Sequence, residues 1–390
     1  MRAIVVGAGI GGLTATLSLR RAGHDVTLVE QSRRLTEIGA GIQLAPNATR
    51  VLRRLDLLDA VAEHSTRPAH ISFRTWSDGA EICRYVIGPE AEEEFGAPYL
   101  QVHRADLQRA LVTAVPPGSL RLATAVVGVD QDDRTAHVTT ASGERLDADL
   151  VVAADGIRSA ARQWLFGADE AVFSHTAAYR ALLPAAEVAD LDLPEYAGWL
   201  GPNRHVVHYW LRRGELLNVV AVFETDRAAQ ESWTAQAEPG EQLRTFAGWD
   251  PRLLTVLERA GRVLRYGIHT RAPLPRWNLG RITLLGDSAH AMVPFQAQGA
   301  AQAVMDAAVL GDCLTGATPA EVPDALDRYV RRRAPAATAV QAGSARAGHD
   351  YHLPDGPEAE ERNARLVALA SENRFGPHSA AWPADVLADG

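Results

Sequence analysis

Two glycine-bearing turns set almost a chain length apart constrain this 390-residue sequence most: GAGIGG at residues 7–12 and LLGDSAH at residues 284–290. Each follows a short apolar run that reads as a buried strand, and each precedes a stretch with helical spacing. A strand, a glycine turn and a helix in that order aim backbone N–H groups and a helix N-terminus at an anion such as a phosphate. Two such turns at opposite ends of the chain imply a single nucleotide site completed by distant segments.

Composition narrows the chemistry. With 47% hydrophobic residues the chain can fill the cores of two or three domains. A formal net charge of −9 argues against a nucleic-acid or anionic-membrane surface, so a small molecule is the expected partner. All 39 basic residues other than histidine are arginine, which excludes Schiff-base chemistry, pyridoxal phosphate attachment and a P-loop lysine. Cys83 and Cys313 are too few for a disulfide framework or a cysteine metal site, and they suit a reducing cytoplasm. Met1 leads directly into a strand with no signal-type segment, and no apolar run approaches the ~20 residues that span a bilayer. The expectation is a soluble, cytoplasmic monomer or homodimer with no metal.

Residues 2–6, 12–22 and 25–30 read as a β-α-β unit. Helices are expected at 48–63 and 104–115, a hairpin within 120–140, and a buried parallel-type strand at 150–154. From about 173 to 269 the texture turns strand-rich, with a hairpin at 205–224 separated by residues 212–215. A strand at 282–287, a helix at 298–314 and an Ala/Arg-rich helical region to about 347 follow, then a polar helix at 358–371 and loop composition from Phe375. The pattern predicts an α/β fold: a Rossmann-like nucleotide domain from residues 1–72, 98–172 and 273–345. An inserted, mainly antiparallel substrate domain takes 73–97 and 173–272, and a C-terminal helical tail takes 346–390.

Gly7, Gly9 and Gly12 satisfy G-x-G-x-x-G. The first permits the tight turn, the second lets backbone approach a pyrophosphate, and the third allows close helix packing. Glu30 closes the second strand where a carboxylate can accept hydrogen bonds from an adenosine ribose. DLVVAADGIRS at 149–159 ends a strand in Asp155-Gly156 with Arg158 beyond; an N-cap role for Asp155 is the plain alternative. In residues 280–303, Gly286 and Asp287 follow a strand where Asp287 can accept from ribityl hydroxyls, and Pro294 starts a turn. Gly299 and Ala300 then expose N–H groups at a helix start, suited to the negative charge of a reduced flavin. The split site suits the long FAD molecule better than a nicotinamide dinucleotide.

These segments resemble the class A flavoprotein monooxygenases, the para-hydroxybenzoate hydroxylase family, and most closely its salicylate hydroxylase-like branch. GAGIGG, Glu30, GAGIQLAPNA at 39–48, HRADL at 103–107, Asp155-Gly156 and Gly286-Asp287 occur in the family order. The resemblance implies that Glu30 holds the adenosine ribose, that Arg104 and Asp287 hold the FAD linker and ribityl chain, and that Ile42 and Gln43 face the ring. Asp155 and Arg158 would serve a motif shared between FAD and nicotinamide binding. Arg33, Arg34 and Val127 join the expected cofactor contacts. A second G-x-G-x-x-G with its strand and acid is missing, which speaks against disulfide-reductase-type flavoproteins; NADH or NADPH would bind transiently beside the flavin.

The activity so implied is hydroxylation of an aromatic or heteroaromatic ring, such as salicylate or 3-hydroxybenzoate, by dioxygen through a flavin 4a-hydroperoxide. A phenolate is a far better nucleophile than a phenol, so a base near the substrate hydroxyl is expected. By analogy to a VHY-type position in the family, His208 is the first candidate, with His205, Tyr209 and Gln298 as secondary ones; Pro294 joins the expected catalytic and cofactor-binding residues. Strand alternation puts His205 and Tyr209 on one face and His208 and Trp210 on the other, so both pairs cannot line one pocket. Trp199, Trp210, Phe223, Phe295, Tyr99 and Tyr209 are candidate pocket walls, and His290 is expected to fix its loop. The alternatives are an FAD-dependent oxidase, epoxidase or reductase on a non-aromatic substrate, and a non-catalytic flavin-binding protein.

Overall fold

Strand Arg2–Val6 lies inside a six-stranded sheet in the order Asn278–Leu279, Ile282–Leu284, Leu150–Ala153, Arg2–Val6, Asp25–Val29, Leu120–Arg121. The computed structural model describes residues 1–35, 41–167, 170–227, 235–372 and 374–382. All neighbours in this sheet are parallel except the Asn278–Leu279 edge, and Val5 pairs with Leu28 on one side and Val152 on the other. Its strands are apolar without alternation because both faces are covered. One face buries Ala3, Val5, Leu28 and Val152 against helices Ile10–Arg21, Arg104–Ala114 and Gly299–Leu314. The other buries Ile4, Val6, Val29 and Val151 against Ala136, Val138 and Ala148 of a three-stranded antiparallel sheet.

The second large sheet has seven strands: Leu264–Thr270, Val172–Pro184, Leu216–Glu224, Arg204–Leu211, Tyr196–Gly201, His70–Thr75 and Glu81–Val86. It is antiparallel apart from the Tyr196–Gly201 and His70–Thr75 pair. The expected hairpin is present, and its connection turns sharply because Arg212 and Arg213 both adopt positive φ, 50° and 58°. One face packs Trp199, Val206, Val219 and Phe223 beneath helices Glu241–Thr245 and Pro251–Arg259. The opposite face carries Tyr196, Val207, Tyr209 and Phe73 toward the glycine turns.

Two local expectations change. The helix expected at 48–63 is two, Pro46–Arg54 and Leu58–Ala62, broken at Asp56, whose φ of 58° is a conformation aspartate tolerates better than most residues. Beyond the 30-residue helix Val322–Tyr351 and the helix Pro357–Glu372, the described residues up to Trp382, which read as loop in the sequence, pack back on the molecule. Phe375 and Trp382 pack edge-on against Phe95, at 5.1 and 5.2 Å between ring centroids. Among the described residues no helix is long and apolar enough to cross a membrane, and no cluster of histidine, cysteine, aspartate and glutamate has the makings of a metal site. Cys83 and Cys313 are buried free thiols.

Candidate active site

The first turn is built by sterics. Gly7 takes φ +99°, and a Cβ on Gly12 would lie 1.9 Å from the Gly7 carbonyl oxygen, so helix Ile10–Arg21 starts directly against the turn. Around Gly9 no atom lies within 4 Å of a Cβ position; this glycine opens onto a cavity. The Glu30 carboxylate accepts from Ala8 N and Ser32 N, both at 2.8 Å, which fixes it at the mouth of the turn.

The second turn meets the first through the strand between them. Leu285 N donates to Ala153 O at 2.9 Å, the Ser288 hydroxyl donates to the same oxygen at 2.7 Å, and Ala154 N donates to Val6 O at 2.8 Å. A Cβ on Gly11 would touch the Leu285 side chain at 2.9 Å, so the two turns are in contact. Behind them lies a buried ionic group. Asp306 accepts from Gly286 N at 3.0 Å and Arg333 Nε at 2.7 Å, and meets His290 Nε2 at 2.5 Å. His290 thus fixes its loop, as expected. Burial alone would raise the Asp306 carboxyl, but His290 and Arg333 outweigh it and hold it down to about 2.

A cavity of about 440 Å³ runs from these turns to the large sheet. At the turn end it is lined by Gly9, Arg104, Gly156, Gly286, Asp287, Pro294, Gln298, Gly299 and Ala300, and Ile42 and Gln43 flank it. The N-terminus of the 16-residue helix Gly299–Leu314 opens into it, with nothing within 4 Å of a Cβ on Gly299. Asp155 Oδ1 is buried without a hydrogen-bond partner among the described residues, and burial pushes its carboxyl up. The other oxygen of Asp155 accepts from Ala161 N at 3.2 Å, and the residue itself is not among those lining the cavity, although Ala154 and Gly156 beside it are. An open glycine cradle and a helix N-terminus suit an elongated dinucleotide with phosphate groups. At the sheet end stand Phe73, Tyr85, Tyr99, Tyr196, His205, Tyr209 and Phe295. The tyrosines are positioned: Gln43 Oε1 accepts from Tyr99 and Tyr196, both at 2.7 Å. Gln298 Oε1 accepts from Asn47 Nδ2 at 3.0 Å, and Asn47 Nδ2 also reaches Ala381 O at 2.9 Å, which couples the cavity floor to the C-terminal segment.

Several expected residues lie elsewhere. His208 is on the far face of the sheet, where its Nδ1 accepts from Trp199 Nε1 at 3.0 Å and its Nε2 donates to Pro194 O at 2.9 Å. Burial there lowers its basicity to about 4. Both ring nitrogens are occupied, so the VHY analogy selected the wrong parity: His205, Val207 and Tyr209 face the cavity. Trp199 is buried on that far side with the guanidinium groups of Arg74 and Arg252 near its ring, 5.8 and 5.2 Å from the centroid, and Phe223 stacks on Tyr179 at 4.7 Å. Trp210 is half-buried on the same side. Arg33, Arg34 and Arg158 are exposed, Val127 is 53% exposed, and none of the four lines the cavity; Gly39 and Ala40 of the GAGIQLAPNA segment fall outside the described residues. Replacing His208 by alanine leaves Trp199 Nε1 and Pro194 O unpaired and opens a void, a loss of about 2–4 kcal/mol. Thermal melts are expected to show that loss while ligand binding in the cavity is unchanged.

Sequence reading missed Tyr196, Tyr351, Phe375 and Trp382, which also line the cavity. Alternation carried the signal for Tyr196, since Tyr196 and Gly198 necessarily face away from Trp199. Nothing local marked the other three, which arrive from the C-terminal segment.

A family model described as an FAD binding domain matches residues 1–344. The chain is 40% identical over 366 residues to the 3-amino-4-hydroxybenzoate 2-monooxygenase PtmB3 of Streptomyces platensis, across 94% of this chain and 92% of that one. It is 34% identical over 352 residues to the 6-hydroxynicotinate 3-monooxygenase of Bordetella bronchiseptica, across 90% and 91%. A solved substrate complex of salicylate hydroxylase superposes with a TM-score of 0.82 at 26% identity, covering 100% of this chain and 98% of that one.

Proposed function

Because this chain belongs to the FAD-dependent aromatic monooxygenases, we propose that it hydroxylates the ring of a small phenolic or hydroxy-heteroaromatic acid, with NADH or NADPH as reductant and dioxygen as oxidant. An aminohydroxybenzoate is the first substrate to consider, because the 40% identical relative carries that name. Bound FAD would supply the redox chemistry and the activation of oxygen. In this reading residues 1–72, 98–172 and 273–345 form the FAD domain, and 73–97 with 173–272 form the substrate domain.

The chain's own contributions follow from its residues. The Gly7–Gly9–Gly12 turn and the following helix bind the pyrophosphate, and Glu30 accepts from the adenosine ribose. Arg104 and Asp287 would hold the linker and ribityl chain, and Ile42 and Gln43, which line the cavity, would contact the ring. The N-terminus of helix Gly299–Leu314 would favour negative charge on a ring bound beside it. Phe73, Tyr85, Phe295 and Trp382 keep water out of the far end. His205 and Tyr209 take the roles first given to His208: His205 accepts the proton of the substrate hydroxyl, and Tyr209 orients that oxygen by hydrogen bonding.

The observation that carries this reading is that His205 and Tyr209, on one strand face, enter the same cavity as Gly9, Asp287 and Gly299. The test is to load the purified protein with FAD and measure NADH and NADPH oxidation with 3-amino-4-hydroxybenzoate, 6-hydroxynicotinate, 3-hydroxybenzoate and salicylate. Stimulated oxidation with a matching yield of ring-hydroxylated product is expected for at least one of them. Uniform basal oxidation that yields only hydrogen peroxide would remove the proposal.

A further inference from the structure

A row of side chains runs from His205 at the cavity to solvent, and its outer members, His352 and Glu224, have no role in the site described so far. His205 is 2% exposed, packed between Phe295, Tyr351 and His352 at ring-centroid distances of 5.2, 5.4 and 4.9 Å. Its Nδ1 lies 2.7 Å from His352 Nε2, and His352 Nδ1 lies 3.0 Å from Glu224 Oε1. The Glu224 side chain is 48% exposed, so the row begins in the cavity and ends in water. Backbone bonds hold the members together: Asn203 N donates to His352 O at 2.8 Å, and Glu224 N donates to Asn203 O at 2.9 Å.

Donor and acceptor capacity sets the direction of this row. An ionised carboxylate only accepts, so His352 donates from Nδ1 to Glu224. A neutral imidazole protonated at Nδ1 has its lone pair at Nε2, which therefore accepts from His205 Nδ1–H. His205 is then left with a lone pair on Nε2, the nitrogen turned away from His352. Burial disfavours the charged form of both rings, strongly for His205, where His352 adds to the effect, while Glu224 opposes it at His352.

We propose that His352 and Glu224 are positioning residues that hold His205 in the Nδ1–H tautomer and carry the substrate's hydroxyl proton between the cavity and solvent. The proposal rests on the cavity holding a hydroxylated aromatic substrate. In the forward step the substrate O–H bond breaks and an N–H bond forms at His205 Nε2. His205 Nδ1 passes its proton to His352 Nε2, His352 Nδ1 passes its proton to Glu224, and Glu224 releases it to water. No electrons change hands. Return of a proton to the product hydroxyl runs the same path backward and restores both tautomers.

Two measurements test it on the FAD-loaded protein. Long-range 15N–1H spectra of protein labelled at histidine, assigned with His205→Asn and His352→Asn, are expected to show His205 protonated at Nδ1 without substrate. The second compares Glu224→Gln and His352→Phe with wild type on two phenols, one un-ionised at the assay pH and a nitro-substituted one already ionised there. Turnover of the first is expected to fall ~10- to 100-fold with KM little changed, because proton removal is impaired. Turnover of the second should fall less than ~2-fold, since it needs no base. A merely structural role would lower both alike. Equal losses, no loss, or a His205 Nε2–H tautomer in wild type overturns the proposal. If wild type hydroxylates neither phenol, the substrate reading has failed, and the tautomer spectrum still decides whether the histidine pair is set as described.

Discussion

Replacing Gly12 by alanine is expected to strip the protein of FAD and to lower its melting temperature. The added Cβ would lie 1.9 Å from the Gly7 carbonyl oxygen and 3.0 Å from its carbon, both backbone atoms that no rotamer change can move. Gly7 already occupies φ +99°, so the turn cannot yield locally without further strain. Either the turn opens or helix Ile10–Arg21 shifts, and both displace the N–H groups meant for the pyrophosphate. The helix is also packed on Gly299–Leu314, where Gly311 closes on Ser18, so its shift spreads to the second glycine segment. A loss of about 2–4 kcal/mol, several degrees in melting temperature, is expected from strain of this kind. Gly9→Ala is the informative companion: no protein atom lies within 4 Å of its new methyl group, so it should fold and melt normally yet lose flavin, because the methyl enters the phosphate's path. Absorbance of the bound flavin after gel filtration, with thermal melts, reads both. A yellow Gly12→Ala protein with wild-type melting would contradict this account of the turn.

The second large effect is expected at Asp306. Its carboxylate is fully buried and joins His290, Arg333 and the amide of Gly286, and Arg333 also reaches Gln302 Oε1 at 2.6 Å. Asp306→Ala leaves the Arg333 guanidinium buried without its counter-charge, a loss of about 3–5 kcal/mol. It also frees the amide of Gly286, the residue before Asp287, so weaker FAD retention should accompany the lower melting temperature. The pH dependence has a definite sign. A folded-state pKa of about 2, below the ordinary aspartate value, means the native state binds fewer protons in the window between the two. The stabilisation is complete above about pH 4 and is lost as pH falls toward 2, so wild type and Asp306→Ala should converge in stability across that window. A gap between them that stays constant from neutral pH to pH ~2.5 would show that the carboxylate's charge is not what stabilises the native state.

What the sequence disclosed and what it hid follow from the range of the interactions. The Gly7–Glu30 unit was legible because its strand, turn, helix and acid are consecutive and each residue type answers a local steric or electrostatic demand. The second turn was legible for the same reason, and contact between the two followed from their chemistry. Strand alternation correctly separated His205 and Tyr209 from His208 and Trp210, but alternation cannot say which face meets the cavity. Both faces of this sheet are covered and both carry aromatics, so Trp199 and Phe223 looked as suitable as Tyr196 and Tyr209. The His205–His352 contact spans 147 residues, and Trp382 reaches the cavity from a segment whose composition reads as loop. Contacts of that kind are decided by the packing of three distant segments.

The central claim is that the joined glycine turns and the tyrosine–histidine end of the cavity are one site, holding FAD and an aromatic acid together. The most direct measurement is turnover of the FAD-loaded protein under 18O-labelled dioxygen with the best phenolic acid from the substrate screen. The account predicts one labelled oxygen atom per product molecule, in the new ring hydroxyl, and one NADH or NADPH consumed per product. An unlabelled product, or nicotinamide oxidation that ends wholly in labelled hydrogen peroxide, would contradict it.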